Sequence, residues 1–167
     1  SGLFKKLILS SFLLVLVCNK VFSSPNSYNT IELLLALLSF TISIYADFSG
    51  YTDMAIAIGL LLGFRTPNNF NRPYLSPSVS EFWRRWHITL GTWFREYVYV
   101  PLGGNRRGEL VTYRNLFIIW ALTGLWHGAS TNYLVWGIVL FILMTLERLF
   151  LGNVLTRLPV LGHLYML

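Results

Sequence analysis

The stretch Leu122-Thr123-Gly124-Leu125-Trp126-His127-Gly128-Ala129-Ser130 lies between two apolar runs, Leu116–Ala121 and Tyr133–Leu146. This pattern predicts two helices joined by a short hinge at or near membrane depth. An imidazole is costly to place there, so an ionisable residue in such a position is a candidate functional residue. The alternative is a core histidine whose ring nitrogens bond to neighbouring helices. Position alone leaves both interpretations of His127 open.

The composition indicates a membrane protein. Hydrophobic residues make up 54% of the 167 residues and charged residues only 12%, whereas soluble domains carry roughly 25% charged residues. The net charge is +6, but the basic residues cluster between apolar runs. Membrane topology and anionic lipid therefore explain them better than a nucleic-acid partner. We expect residues 1–167 to form a single membrane-embedded segment of a longer chain.

The first half contains two apolar runs. Leu7–Phe22 is marginal against the roughly 20 residues that a span needs, so it is either a short span or a helix partly in the interface. Ile31–Phe64 is too long for one upright span, and its centre is polar. This predicts a helix to about Tyr45, a break near Gly50 that lines a cavity, and a second helix through Met54–Phe64.

Two carboxylates, Asp47 and Asp53, lie in that polar centre. Charges at membrane depth must be paired or face a wet cavity. We favour a structural role, in which each carboxylate pairs with an arginine or caps the broken helix. Asp47 also stays a candidate substrate-binding residue.

The segment 65–114 is rich in arginine, and the positive-inside bias predicts that it is a cytoplasmic motif region. Four crossings fit this charge pattern if the first two and the last two apolar runs each cross once. Within the segment, Ser78 and Glu81 predict a capping box that starts a helix reaching about Arg95. Mixed tryptophan and arginine side chains suit an interfacial helix.

The chain has three histidines, and an unperturbed imidazole titrates around 6.5 and so can act as a base near neutral pH. His87 lies on the arginine-rich helix, where a hydrogen-bonded interfacial residue is the alternative. His163 lies in the tail Leu151–Leu167, which is too short and broken to span a membrane, and is expected at the surface. The sequence holds no cysteine pair and no metalloprotease spacing, so a metal site is not predicted. Axial haem ligation by two histidines is a weaker alternative.

Several longer motifs, taken in order, resemble the membrane-bound O-acyltransferase family, and in particular its bacterial branch of alginate O-acetyltransferase-like and D-alanyl transfer proteins. The alginate-type members look nearer. The motifs that carry the resemblance are Asp47-Phe48-Ser49-Gly50-Tyr51, Asn71-Arg72-Pro73-Tyr74, Glu81-Phe82-Trp83-Arg84-Arg85-Trp86-His87, Pro101-Leu102-Gly103-Gly104-Asn105-Arg106, Leu125-Trp126-His127-Gly128 and Trp136-Gly137.

The resemblance implies an all-α, polytopic membrane fold with re-entrant or broken helices and an interfacial helix rich in arginine and tryptophan. It implies that His127 is the catalytic histidine and His87 the second active-site histidine. The candidate substrate-binding residues are Trp83, Arg84, Arg85, Trp126, Asp47 and Asn105.

The function implied by the resemblance is O-acyl transfer, most simply acetyl transfer, in a multi-pass protein of the bacterial inner membrane. The donor would be a cytoplasmic thioester, either acetyl-CoA or an acyl carrier protein, with no permanently bound cofactor. The acceptor would be an exported polysaccharide such as alginate, reached through a periplasmic acetyltransferase partner. Two alternatives stay open: D-alanyl transfer to teichoic acid, and a membrane transport or binding module without acyl chemistry.

Overall fold

The computed structural model describes residues 1–151 and 159–166. Over these residues the protein is helical and has no strand, apart from one isolated bridge between Phe70 and Trp86. The all-α prediction is therefore confirmed. The chain forms two compact units, Ser1–Asn69 and Phe70–Leu167, and each is described by itself.

The first unit is a pair of long helices, α1 (Phe4–Ser23) and α2 (Thr30–Leu61). α1 is wound as a π-helix over its segments Phe4–Ser10 and Leu13–Cys18, and it continues through the polar residues that interrupt the first apolar run. The start of α2 has a capping box in which the side chains of Asn29 and Glu32 each accept a bond from the other's backbone N–H. These two bonds fix where α2 begins.

The predicted break near Gly50 is wrong, because α2 is one continuous helix of 32 residues. Gly50 instead permits close approach of the start of α1 and the residue Gly2 ahead of it. A Cβ atom on Gly50 would lie 2.8 Å from the carbonyl oxygen of Gly2 and 2.9 Å from the backbone nitrogen of Lys6. The small residues in the middle of α2 thus allow α1 to pack closely, and the helix continues through them without a break.

The carboxylates of α2 are paired, as predicted, but their partners are lysines and not arginines. Lys5 Nζ lies 3.0 Å from Asp53 Oδ2, and Lys6 Nζ lies 2.7 Å from Asp47 Oδ1. The serine hydroxyl of Ser1 also donates to Asp53. Opposite charges from α1 therefore compensate the acidic side chains that the sequence places inside an apolar run.

The second unit has five α-helices among the residues that the structure describes, preceded by a 3-10 turn at Pro73–Leu75. They are α3 (Val79–Arg85), α4 (Ile88–Phe94), α5 (Glu109–His127), α6 (Thr131–Leu146) and α7 (Pro159–Tyr165). α4 and α6 are each extended by a π-helical turn, Arg95–Tyr99 and Glu147–Leu151 respectively. The predicted tail includes residues 152–158 and 167, which lie outside the described residues. His163 is exposed on α7, in agreement with its predicted surface position.

The helix predicted from Ser78 to Arg95 is interrupted, which corrects the expectation of one continuous element. Trp86 is extended and His87 lies in the left-handed region, with φ 48° and ψ 52°. Trp86 leaves the helix because it forms the bridge with Phe70 and stacks on Phe82, with ring centroids 5.5 Å apart. The broken helix that the resemblance implies therefore lies at His87 and not at Gly50.

The helices α5 and α6 form a hairpin around the hinge quoted above, and α5 ends at His127 as expected. Two glycines let the helices approach closely. A Cβ atom on Gly124 would lie 2.5 Å from the carbonyl oxygen of Tyr133, and one on Gly137 would collide with the carbonyl oxygen of Trp120. Small residues at a helix contact are typical of membrane proteins.

Three helices among the described residues are long and apolar enough to cross a membrane: Phe4–Ser23, Thr30–Leu61 and Thr131–Leu151. The first and the third, with 20 and 21 residues, match the roughly 20 apolar residues that a span requires, and Thr30–Leu61 is longer, with 32. The four-crossing scheme also needs α5 to cross, and it stays a prediction.

Candidate active site

His127 is held at the C-terminal end of α5 in one orientation. Its Nδ1 lies 2.7 Å from the carbonyl oxygen of Thr123, one helical turn earlier. A carbonyl oxygen only accepts, so Nδ1 carries the proton and donates it. In the neutral ring the lone pair is then on Nε2. The hinge therefore presents an imidazole whose outer nitrogen can accept a proton.

Three aromatic rings contact His127, which is itself exposed, and they orient its imidazole. Its ring centroid lies 4.9 Å from that of Trp126, 4.8 Å from that of Trp136 and 6.3 Å from that of Tyr133. Gly128, the next residue, leaves room for one of these rings, because a Cβ atom there would lie 2.6 Å from the ring of Tyr133. These rings carry no charge, and they give the imidazole a defined position.

His87 lies beside the same tryptophan, with its ring centroid 5.7 Å from that of Trp126. Burial lowers the pKa of His87 below its usual 6.5, and the charge of His127 lowers it further. A non-glycine residue in the left-handed region is strained, and such strain is concentrated at functional sites. The structure thus brings together both histidines that the sequence selects. His87 lies at the break between α3 and α4, and His127 lies at the hinge between α5 and α6.

Trp83, on α3, connects the arginine-rich helix to the hairpin. Its ring lies 5.1 Å from that of Trp120 on α5 and 5.6 Å from that of Trp136 on α6, measured between centroids. Because the ring of Trp136 also contacts His127, Trp83 is one ring removed from the candidate catalytic imidazole.

The two arginines that follow Trp83 share one acid. Arg84 Nη2 lies 2.7 Å from Glu81 Oε2, and Arg85 Nε lies 2.8 Å from Glu81 Oε1. The backbone N–H of Glu81 is meanwhile bonded to the hydroxyl of Ser78, which confirms that residue as the helix cap. One carboxylate against two guanidinium groups leaves positive charge on α3, and the side chain of Arg84 is 74% exposed. This end of α3 can therefore contact an anionic group.

Two other predicted site residues are placed differently. Asp47 belongs to the first unit, where it pairs with Lys6. Asn105 lies on the loop before α5. Because α5 has 19 residues and ends at His127, about 28 Å of helix separates Asn105 from His127. That loop is anchored by Asn115, whose fully buried amide donates to the carbonyl oxygens of Gly104 and Leu102. Substrate contacts by Asp47 and Asn105 stay predictions.

The arrangement suits proton transfer. Within residues 1–151 and 159–166, no group of three or more His, Cys, Asp and Glu side chains could hold a metal ion. A fixed neutral imidazole can take a proton from a hydroxyl group as that oxygen attacks a carbonyl carbon. The positive charge on α3 can balance a negatively charged substrate.

The sequence profile of the membrane-bound O-acyltransferase family matches residues 2–163. The chain belongs to this family. Within it, the similarity is to the alginate O-acetylase branch, as the motifs indicated. The protein named "Probable alginate O-acetylase AlgI" in Pseudomonas fluorescens is 52% identical over 136 residues, which is 81% of this chain and 27% of that protein.

Two other relatives of this chain are named for peptidoglycan and for teichoic acid. The peptidoglycan O-acetyltransferase of Helicobacter pylori is 42% identical over 147 residues, covering 88% of this chain and 28% of its own length. The teichoic acid D-alanyltransferase of Bacillus subtilis is 32% identical over 124 residues, covering 70% and 31% respectively. The chain thus spans about a quarter to a third of the length of these curated relatives.

Sequence reasoning missed Thr123 and Trp136, which contact His127, and the buried carboxylate of Glu147. Thr123, the acceptor for His127, could have been found from its spacing of four residues on the same helix. Trp136 was part of a quoted motif but was given no role. Glu147 interrupts the last apolar run, and a carboxylate in such a run is itself a signal.

Proposed function

We propose that this chain is the catalytic segment of a bacterial O-acyltransferase that moves an acetyl group from a cytoplasmic thioester to an exported polysaccharide such as alginate. The observation that carries the proposal is the bond from His127 Nδ1 to the carbonyl oxygen of Thr123. It assigns the lone pair to Nε2, next to a second histidine whose pKa is lowered. Family membership supplies the reaction class.

In the proposed reaction, His127 acts as general base. The acceptor hydroxyl attacks the carbonyl carbon of the thioester and gives its proton to Nε2. The carbon–sulfur bond then breaks, and the leaving thiolate takes up that proton. The products are an ester and a free thiol. A positioned general base contributes about 10²–10⁴-fold to such a rate.

His87 and the arginines of α3 would bind and orient the donor. A neutral His87 can donate or accept a hydrogen bond at the reacting carbonyl, and its lowered pKa favours that neutral form. Arg84, being largely exposed, would contact the phosphate groups of acetyl-CoA or of an acyl carrier protein. The protein would lie in the inner membrane with several spans and pass the acyl group to a periplasmic acetyltransferase partner.

The test uses the full-length protein in cells that make the cognate glycan. The acyl group on that glycan is quantified with the wild type, with His127→Ala and with the control His163→Ala, which alters the exposed histidine on α7. We expect glycan acetylation to disappear in His127→Ala and to persist in His163→Ala, at equal membrane levels. Persistence of acetylation in His127→Ala would contradict the proposal. Recovery of D-alanine as the acyl group would select the D-alanyl alternative.

A further inference from the structure

Glu147 is a buried carboxylate that the proposed reaction does not use. It follows the last residue of α6, and only 4% of its surface is exposed. Its neighbours along the chain, Leu146 on one side and the apolar run Leu149–Leu151 beyond Arg148, are typical of a membrane span. A carboxylate in such a position requires hydrogen-bond donors to compensate its charge.

The donors are the first backbone N–H groups of α3. Glu147 Oε2 accepts from Val79 at 2.8 Å, and Ser80 donates to Oε1 at 3.3 Å and to Oε2 at 3.4 Å. The next N–H, that of Glu81, donates to the hydroxyl of Ser78. All three N–H groups ahead of the first intrahelical bond, from Phe82 to Ser78, are thereby satisfied. A negative charge also complements the positive end of the helix dipole.

α3 is consequently attached to the α5–α6 hairpin at three points along its length. Glu147 holds its first residues, Trp83 contacts the rings of Trp120 and Trp136, and His87, just beyond its end, contacts Trp126. The helix is only about 9 Å long from its first to its last residue. A short rigid helix transmits a shift at its start to its end.

We propose that Glu147 is a positioning residue: it sets the register of α3 along the hairpin. It so places Trp83 against Trp136 and His87 against Trp126, the two rings that contact His127. It acts through hydrogen bonds to backbone N–H groups and contacts neither the donor nor the acceptor. This inference rests on the proposed function for its effect on turnover. The bonded geometry of Glu147 can be measured without it.

The experiment compares Glu147→Ala, Glu147→Gln and the control Glu32→Ala in the full-length protein. Glu32 is a matched control because its carboxylate also caps a helix, at the start of α2 in the first unit. Turnover is measured per folded protein in membranes, and amide hydrogen exchange is measured over residues 79–85. We expect Glu147→Ala to lower turnover by about 10²-fold, the size of effect expected when reacting groups are displaced by about 1 Å.

In the same variant, exchange over residues 79–85 should become faster. Glu147→Gln should retain most of the turnover and most of the protection, because its amide oxygen can still accept from Val79 and Ser80. Glu32→Ala should leave turnover unchanged.

Wild-type turnover in Glu147→Ala would overturn the inference. Equal losses of turnover in Glu147→Ala and Glu147→Gln would also overturn it, because the role of Glu147 would then depend on its charge and not on hydrogen bonding. Unchanged exchange over residues 79–85 in Glu147→Ala would overturn it independently of any acyl chemistry. Failure of the proposed function has a different signature, namely full transfer in His127→Ala. The two failures are therefore distinguishable.

Discussion

The two units treat their ionisable side chains in opposite ways. In the first unit, Lys5 pairs with Asp53 and Lys6 with Asp47, so opposite charges face each other at 3.0 and 2.7 Å. In the second unit, aromatic rings flank His127, and its Nδ1 bonds to a backbone carbonyl oxygen. The first arrangement neutralises charge and joins two helices. The second fixes an imidazole and leaves its chemistry available.

This difference separates structural from reactive candidates in a way that residue type alone does not. The two aspartates of the first unit and His127 of the second all lie within or next to apolar runs, and each is by position a candidate functional residue. The aspartates and His127 differ in whether an oppositely charged partner compensates the ionisable side chain. Asp47 is compensated by Lys6, whereas the rings beside His127 carry no charge. Each prediction below changes one side of this comparison.

Among changes outside the imidazole of His127 itself, the largest effect is expected from Gly137→Ala. The added Cβ atom would collide with the carbonyl oxygen of Trp120, so α5 and α6 must separate and the rings around His127 must move. Overpacking of this kind costs about 1–3 kcal/mol, and the displaced rings should lower turnover by about 10²-fold. Gly91→Ala is the control, because a Cβ atom there meets nothing within 4 Å. Equal turnover in the two variants would show that the hairpin contact does not set the site.

A smaller effect concerns the titration of His87. Burial and the charge of His127 both lower its pKa below 6.5, so His87 should stay neutral at neutral pH and gain a proton only below that value. Removing the second cause by His127→Gln should raise the pKa of His87 toward 6.5. The measurement is an NMR titration of labelled histidine in the full-length protein, assigned by loss of the signal in His87→Asn. An unchanged or lower titration midpoint of His87 in His127→Gln would show that the charge of His127 does not lower the pKa of His87.

The lowered pKa of His87 also predicts the direction in which the stability of the folded chain changes with pH. The unfolded chain binds a proton at His87 at higher pH than the folded chain does, so stability should fall as pH drops below 6.5. In His87→Asn this part of the pH dependence should be absent. Thermal unfolding of both proteins across this pH range provides the comparison.

The smallest effect is expected for the ion pair of Lys6 and Asp47. The two side chains are 34% and 50% exposed, and an exposed pair contributes only about 0–1 kcal/mol. Asp47→Ala and Lys6→Ala should each lower thermal stability slightly, and the double variant should lose less than the sum of the two. Turnover should be unchanged in all three. A loss of turnover that persists in the double variant would mean that Asp47 contacts substrate.

Much of the local structure could be predicted from the sequence. The end of α5 at His127 and the cap at Ser78 follow from residue patterns that span only a few positions. The helical class follows from the length and apolarity of the runs. These features depend on local propensity and on burial, both of which a single sequence contains.

The errors arise from contacts between residues distant in sequence. The break was placed at Gly50, because nothing local to α2 reveals that Gly2 and Lys6 approach it. The interruption at His87 depends on the bridge between Phe70 and Trp86. Glu147 is separated from the N–H group of Val79 by 68 residues. Tertiary partners of this kind override helix propensity and leave no signature in a local window.

The most direct test of the central claim is the turnover of the purified full-length protein carrying His127→Gln, with His163→Gln as control. Glutamine can still donate to the carbonyl oxygen of Thr123, but it cannot take the proton of an acceptor hydroxyl. We predict that kcat falls by about 10²–10⁴-fold, the contribution of a positioned general base, while His163→Gln retains wild-type kcat. Wild-type kcat in His127→Gln would contradict the account.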